Sequence, residues 1–172
     1  MDREKAAALR RGIGMLESIL VRQIDLHREM LALAEDKREA IIAGNLEKLE
    51  KTVAEEKRLV SGIAAEEKRR LAVMPLIKAG LGLDDSPTRL GELLPGFPEP
   101  EGGRLAGIAA DLRAAVEAVQ VRNRHNAELL RTSLAHVESF LRSLAGAVRA
   151  GANYRGDGGR AAPGPAILDR SA

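Results

Sequence analysis

The feature that most constrains the fold of this 172-residue chain is the spacing of its apolar residues, which recur in alternating steps of three and four over long segments. Such spacing places an apolar stripe on one face of an α-helix, whereas a half-buried strand needs apolar residues at every second position. No segment alternates in that way over a length that would predict a strand. The pattern therefore predicts an all-α protein.

Three segments carry this pattern, and we predict one long helix for each, over about residues 3–43, 45–79 and 104–150. In the first helix the stripe runs from Leu9 to Ile41 and includes His27 and Ala34. In the second helix the three-four spacing predicts a stripe made of Leu46, Leu49, Val53, Glu56, Val60, Ile63, Glu67, Leu71 and Met74. In the third it runs from Leu105 to Val148.

The connections predict how these helices are joined. Gly44 and Asn45 combine a helix-ending residue with a good N-cap for the next helix, which favours an antiparallel αα-hairpin over one kinked helix. Pro75 is expected to end or kink the second helix, because proline lacks the N–H donor and clashes with the preceding turn. Residues 83–103 are rich in proline and glycine and predict a linker with one brief turn over 88–94.

We therefore predict one helical domain over residues 1–150, an elongated antiparallel bundle or coiled coil of three long helices. The Gly-, Pro- and Arg-rich residues 151–172 are expected to form a flexible tail, because they carry too little apolar surface to offset the entropy of ordering.

Composition agrees with this fold and excludes several functions. Apolar residues make up 45% of the chain, yet it has two Phe, one Tyr and no Trp, so its core must consist of aliphatic side chains. The absence of cysteine excludes disulfides, thiolate metal sites and a cysteine nucleophile. The sequence contains no phosphate loop, nucleophile elbow or zinc-protease motif, and His125 and His136 lack a third ligand. We expect no enzyme activity, no cofactor and no metal.

The distribution of charge disfavours a nucleic-acid partner. The net charge is only +2, and acidic and basic residues alternate along the helices rather than forming a basic track. The first residues do not resemble a signal peptide, and no apolar run approaches the roughly 20 residues that span a bilayer. We expect a soluble, cytoplasmic protein with no stable membrane insertion.

The third helix carries the candidate binding site. Asn123 and Asn126 interrupt its aliphatic stripe, and such residues either fix the register of a helical seam or offer their amides to a partner. After them the apolar stripe is wider than a two-helix seam requires, so it predicts either the core of a three-helix bundle or a groove for a partner helix. The candidate partner-binding residues are Asn123, Asn126, Leu129, Leu130, Leu134, Val137, Phe140, Leu141 and Leu144.

The order of several short motifs resembles that of the FlgN family along nearly the whole chain. The first half has Leu33-Ala34, Lys37-Arg38, Ile41-Ile42 and Gly44-Asn45-Leu46, and the second has Asn123-Arg124-His125-Asn126, Leu129-Leu130 and Tyr154 before Gly156 and Gly158. The resemblance implies a flagellar type III export chaperone. Such a protein holds the C-terminal helices of hook–filament junction proteins of the FlgK and FlgL type, prevents their premature assembly and delivers them to the export gate.

The same resemblance implies that Tyr154 contacts the cytoplasmic domain of the export gate, although Arg155 stands where the family more often has glycine. A structural coiled coil that self-associates, with a homodimer in the absence of a client, is the alternative hypothesis.

Overall fold

A computed structural model describes residues 3–84 and 89–156, with side chains from residue 5 to residue 149 within those ranges. Both ranges are helical apart from short connections, and neither contains a strand. The helices are α1 (Arg3–Ala43), α2 (Leu46–Leu81), the short α3 (Leu90–Leu93) and α4 (Glu101–Gly156), with a 3₁₀ turn at Leu94–Gly96. The prediction of an all-α protein is confirmed.

Helices α1 and α2 form the predicted antiparallel hairpin. Gly44 ends α1 in the left-handed conformation, at φ 62°, which glycine adopts without the steric cost of a Cβ atom. The Asn45 side chain then accepts a hydrogen bond from the backbone N–H of Lys48 at 2.9 Å and caps α2. Farther along, Lys37 Nζ lies 2.6 Å from Glu56 Oε2, and Gln23 Nε2 lies 3.4 Å from Glu67 Oε2. The paired numbers rise in α1 as they fall in α2, so the two helices run in opposite directions.

The predicted apolar stripe of α2 is correct in part, since Met74 is buried and Leu49, Glu56, Ile63 and Glu67 are half-buried. Leu46, Val53, Val60 and Leu71 are exposed, and the residues of α2 that are buried are Thr52, Leu59, Val73, Met74, Ile77 and Lys78. The face that packs in the bundle is therefore rotated by about 70° around the helix and overlaps the predicted stripe. Three-four spacing fits both faces, and only the positions of α1 and α4 decide which of the two is buried.

Pro75 was expected either to end α2 or to kink it. It does not end the helix, because α2 continues for six residues beyond it. Helix α2 ends at Leu81, where Gly82 adopts φ 73° and its N–H bonds to carbonyls of the last turn. Two residues of this last stretch, Met74 and Ile77, are buried in the core. The packing of these side chains offsets the hydrogen bond that proline cannot donate.

The segment between α2 and α4 is more than a linker. It contains α3 and the 3₁₀ turn, and its side chains Leu93 and Phe97 are buried in one apolar cluster with Leu16, Ile77 and Leu105. The brief turn expected over 88–94 is present as α3, although residues 85–88 lie outside the described ranges. The predicted linker therefore completes the core at the open end of the hairpin.

Helix α4 packs against α1 in the parallel direction. Arg104 lies 3.2 Å from Glu17, and Arg122 lies 3.0 Å from Glu35, so numbers rise together in the two helices and α4 runs parallel to α1. A second apolar cluster joins Leu26 and Met30 of α1 to Leu59 of α2 and Val119 of α4. Residues from all three long helices therefore share one core in the part of α4 before residue 131.

The chain divides into two units, Met1–Leu130 and Arg131–Ala172, so that α4 passes from the first unit into the second. The first unit holds the hairpin, α3 and the first thirty residues of α4. In the second unit the described residues are the remainder of α4, which ends at Gly156 rather than at the expected Ala150. None of the helices in the described ranges combines the length and the apolarity that crossing a membrane requires.

Candidate partner-binding surface

The apolar stripe of α4 is buried in one half of the helix and exposed in the other. In the first unit Leu105 and Val119 are buried, and Ile108, Leu112 and Val116 are half-buried. In the second unit every described side chain from residue 131 to residue 149 is exposed. The same spacing thus forms core before residue 131 and surface after it.

We name the exposed part of this stripe the distal stripe, and it consists of Leu134, Val137, Phe140, Leu141, Leu144 and Val148. Their exposed fractions range from 47% for Leu144 to 70% for Val148. Single exposed apolar residues are ordinary on protein surfaces, but a contiguous patch of this kind marks a site of interaction. The distal stripe is therefore the candidate functional site.

The spacing within the distal stripe predicts the secondary structure of a partner segment that would cover it. Leu134, Val137, Leu141, Leu144 and Val148 follow one another in steps of three, four, three and four. This is the strict repeat of 3.5 residues that keeps a seam facing a single partner helix in a left-handed coiled coil. Such a seam suits an amphipathic helix better than an extended peptide.

The face of the helix opposite the distal stripe is polar. It carries Thr132, Ser139, Arg142 and Ser143, which the helical period places about 120° or more from the centre of the stripe. Helix α4 is therefore amphipathic in the second unit, although no other described element of that unit covers its apolar side. An amphipathic helix with an uncovered apolar side has a surface available for a partner.

The predicted partner-binding residues fall into two groups. Asn126 is buried, and Asn123 and Leu129 are half-buried, so these three belong to the packed part of α4. Leu130 is 41% exposed, and the remaining five, from Leu134 to Leu144, are exposed. The sequence allowed either core or groove for the whole set, and the structure divides it into core and surface.

Sequence analysis missed Val148 as a member of the site, although it is the most exposed residue of the distal stripe. The signal was present, because Val148 follows Leu144 by four residues and continues the same spacing. The choice of candidate residues ended too early along the helix.

Asn126 makes a contact typical of a seam residue. Its side-chain Nδ2 donates a hydrogen bond of 2.7 Å to the main-chain carbonyl oxygen of Ala34 in α1. The amide oxygens of Asn123 and Asn126 are buried without a hydrogen-bond partner within the described ranges. An unpaired buried acceptor costs roughly 1–3 kcal/mol, so the two amides weaken the packing at this position.

A polar cluster in the first unit accompanies the packing of α1 and α2. Arg70 donates to Glu67 at 2.7 Å and 2.8 Å, and the buried Gln23 donates to the same carboxylate at 3.4 Å. The hydrogen bond from Arg70 holds the pKa of Glu67 below its ordinary value, against the opposing effect of burial, and the same bond raises the pKa of Arg70. All three side chains have a structural partner, so this cluster is a poor candidate for catalysis.

No group of three His, Asp or Glu side chains within the described ranges could hold a metal ion. His125 and His136 are both exposed, and His27 lies half-buried with its Nδ1 2.7 Å from the carbonyl oxygen of Gln23. His27 is thus a half-buried member of the predicted apolar stripe of α1.

Tyr154 lies in the last turn and a half of α4, but its side chain and the whole of residues 157–172 are outside what the structure describes. The expected flexible tail therefore remains a prediction.

The described residues define an all-helical protein with an exposed apolar seam on its last helix. Comparison with known families adds a functional class. A family model described as FlgN protein matches residues 13–162, and the chain belongs to the FlgN family. This is a family of flagellar export chaperones. No curated protein and no solved structure matched significantly.

Proposed function

We propose that this protein is a chaperone of flagellar type III export that binds the C-terminal helical segments of hook–filament junction proteins through the distal stripe. The observation that supports this proposal is the exposure of six apolar side chains on one helix face, five of them in heptad spacing. Membership of the FlgN family supports the chaperone role in general.

Binding would involve no covalent step. An amphipathic segment of the client would lay its apolar face along the distal stripe and remove both surfaces from water. Ordering the client segment would use part of the free energy gained, so we expect a dissociation constant of about 1 μM or somewhat below. A covered client helix could not join the growing filament, which is how binding would prevent premature assembly.

Delivery would involve the end of α4. By resemblance to the family, Tyr154 is the residue that we propose to contact the cytoplasmic domain of the export gate. It lies ten residues, or about 15 Å of helix, beyond Leu144. This spacing leaves room for client and gate to bind the same helix at different positions. The protein would act in the cytoplasm, before the client enters the gate.

The alternative function is structural self-association through the same surface. A strict heptad seam is also able to pair with a second copy of itself, and a client-free homodimer would cover the distal stripe. The two functions differ in what occupies the stripe in the resting protein. A stable dimer that resists displacement by client segments would favour the structural role.

The experiment that tests the proposal is a pull-down of the purified chain with peptides covering the C-terminal helices of hook–filament junction proteins of the same organism, followed by calorimetry. We expect a one-to-one complex that Leu134→Glu and Phe140→Glu abolish, because each places a charge on the apolar seam. Ser139→Glu, on the opposite face of the same turn, is the matched control and should bind as the wild type does. Far-ultraviolet circular dichroism should show the same helicity for all variants.

Two results would count against the proposal. One is the absence of binding to any such segment, together with a stable homodimer in sedimentation velocity. The other is a loss of helicity in Leu134→Glu and Phe140→Glu, because exposed residues should tolerate a charge without unfolding.

A further inference from the structure

Glu138 is the charged side chain that lies nearest to the distal stripe. It is exposed, and it is the one acidic residue between positions 131 and 149, where the structure describes the side chains of the second unit. The helical period places it about 80° from the centre of the stripe, whereas Arg131 and Arg149 lie about 100° away and Arg142 about 120° away. Glu138 makes no hydrogen bond or ion pair within the described ranges, so its carboxylate is available to a partner.

The covered half of α4 shows how a charge at this angle is treated when a helix packs on the stripe. In the first unit Arg104 and Arg122 also lie about 80° from the centre of the stripe, on its other edge. The covering helix α1 offers a carboxylate to each of them, with Glu17 at 3.2 Å from Arg104 and Glu35 at 3.0 Å from Arg122. A helix that covers the stripe therefore reaches charges at this angle.

Charges farther round α4 are not paired in this way. Arg113 and Arg124 lie about 100° and 120° from the centre of the stripe, at the same angles as the three arginines of the second unit. Both are exposed and make no ion pair within the described ranges. A helix on the distal stripe would thus contact Glu138 and leave the three arginines in solvent.

A second copy of the stripe offers no positive charge to Glu138. In a parallel pair of helices the edge position of Glu138 faces that of Ser133. In the two antiparallel alignments that cover four of the five heptad positions, it lies beside Glu138 or Ala145 of the second copy. Like charges side by side repel and alanine gives no ion pair, so a second copy is a poor occupant of the stripe.

We propose that Glu138 is a specificity-determining residue, and that it selects as occupant an amphipathic client helix with a lysine or an arginine at the edge of its apolar face. That cation would pair with Glu138 while the apolar faces pack, as the glutamates of α1 pair with arginines in the covered half. An ion pair at the edge of a seam stays partly in water, so it contributes more to the choice of partner than to affinity. That the occupant is a client rests on the proposed function.

Two synthetic peptides test this selection without a natural client. Each is an amphipathic helix of three heptads with leucine and isoleucine at the seam positions, and the two differ only in carrying lysine or glutamate at both edges of the central heptad. Changing both edges makes the comparison independent of the direction in which the peptide binds. Fluorescence anisotropy of each labelled peptide, titrated with the full chain, measures the two dissociation constants.

We expect the wild type to bind the lysine peptide about fivefold more tightly than the glutamate peptide. Glu138→Lys should reverse this preference, and Glu138→Gln, the second variant, should remove most of it. Ser139→Lys is the matched control, because it adds a positive charge on the face opposite the stripe and should keep the wild-type preference. Circular dichroism should show equal helicity, since both positions are exposed.

The proposal would be overturned by equal affinity of the wild type for both peptides, by no binding of either, or by an unchanged preference in Glu138→Lys. A wild-type dimer in sedimentation velocity that the lysine peptide does not displace would also overturn it, because a second copy would then occupy the stripe. If natural client segments bind but the two peptides are not distinguished, only the role of Glu138 fails. If the peptides are distinguished but no natural segment binds, only the proposed function fails.

Discussion

Gly80 of α2 lies directly against Leu9 of α1, so closely that a Cβ atom on residue 80 would be 2.8 Å from Leu9 Cβ and 3.2 Å from Leu9 Cα. These are backbone-proximal atoms that cannot swing aside. The two helices of the hairpin therefore approach at this point to a distance that only glycine permits.

Gly80→Ala is expected to destabilise the protein by about 1–3 kcal/mol, because the methyl group would force α1 and α2 apart. Gly107→Ala is the control, since no atom lies within 4 Å of a Cβ at that position of α4. There the higher helix propensity of alanine should stabilise by about 0.5–1 kcal/mol. Urea denaturation measures both, and equal effects of the two substitutions would contradict the close approach.

The rotated seam of α2 gives a second prediction. Ile77 is fully buried, whereas Leu71, which the sequence placed in the seam, is 57% exposed. Ile77→Ala should therefore cost about 2–5 kcal/mol of unfolding free energy, and Leu71→Ala less than about 1 kcal/mol. Thermal denaturation of the two variants distinguishes the observed seam from the predicted one, which requires the reverse order.

The hairpin turn gives a third prediction. Asn45→Ala removes the acceptor for the Lys48 N–H and is expected to cost about 1 kcal/mol. Asn45→Asp keeps a side-chain oxygen at the cap and should be close to neutral. Denaturation midpoints for the pair test the capping bond, and a loss in both variants would point to another role for the asparagine amide.

Stability should depend on pH through Glu67. Because Arg70 lowers the pKa of this carboxyl in the folded state, the ionised form adds stability above its unfolded pKa of about 4.5, and this contribution is lost as pH falls through the lower folded pKa. Glu67→Gln should therefore be less stable than the wild type at pH 7, with the difference shrinking as the pH falls through the lowered folded pKa of Glu67. The pair is partly exposed, so we expect at most about 1 kcal/mol.

The partner variant tests the cause of this pH dependence. In Arg70→Gln the carboxylate of Glu67 loses the hydrogen bond that mainly lowers its pKa. Adding Glu67→Gln to that variant should then change stability far less with pH. If the pH-dependent difference persists without Arg70, another group is responsible for it.

Capping residues, glycines and apolar spacing act within a few residues of the chain, and they predicted the hairpin and the bounds of α1 well. The hairpin followed from Gly44 and Asn45, whose backbone and side-chain preferences act within one turn. The bounds of α1 were predicted because its apolar spacing is long and its end is marked by glycine. Such features need no knowledge of what lies next to the helix in space.

The predictions that failed depend on neighbours distant in the sequence. The seam of α2 was misassigned in part, because the exposed Leu46, Val53 and Val60 are more apolar than the buried Thr52, which the prediction left out. The packing of Leu93 and Phe97 was missed because proline and glycine surround them, and those residues indicate a turn without indicating what it covers.

The candidate site was predicted only in part, because its burial also depends on residues that are distant in the sequence. The spacing of α4 is the same on both sides of residue 131, so the sequence predicts one stripe and not the point at which its burial ends. That point depends on where α1 stops, and the ion pairs that align α1 with α4 join residues 87 positions apart. Asn123 and Asn126 were identified as unusual, but their different roles follow only from the carbonyl of Ala34.

The connection between α1 and α2 also has a consequence for biosynthesis. The two helices are joined by a tight turn and are complete by residue 81, so their pairing needs only the first half of the chain. Contacts between neighbours in sequence form quickly, and N-terminal elements emerge first from the ribosome. The hairpin is thus expected to form during translation and to serve as a template for α4, so that the distal stripe is the last of the apolar surfaces named here to be synthesised.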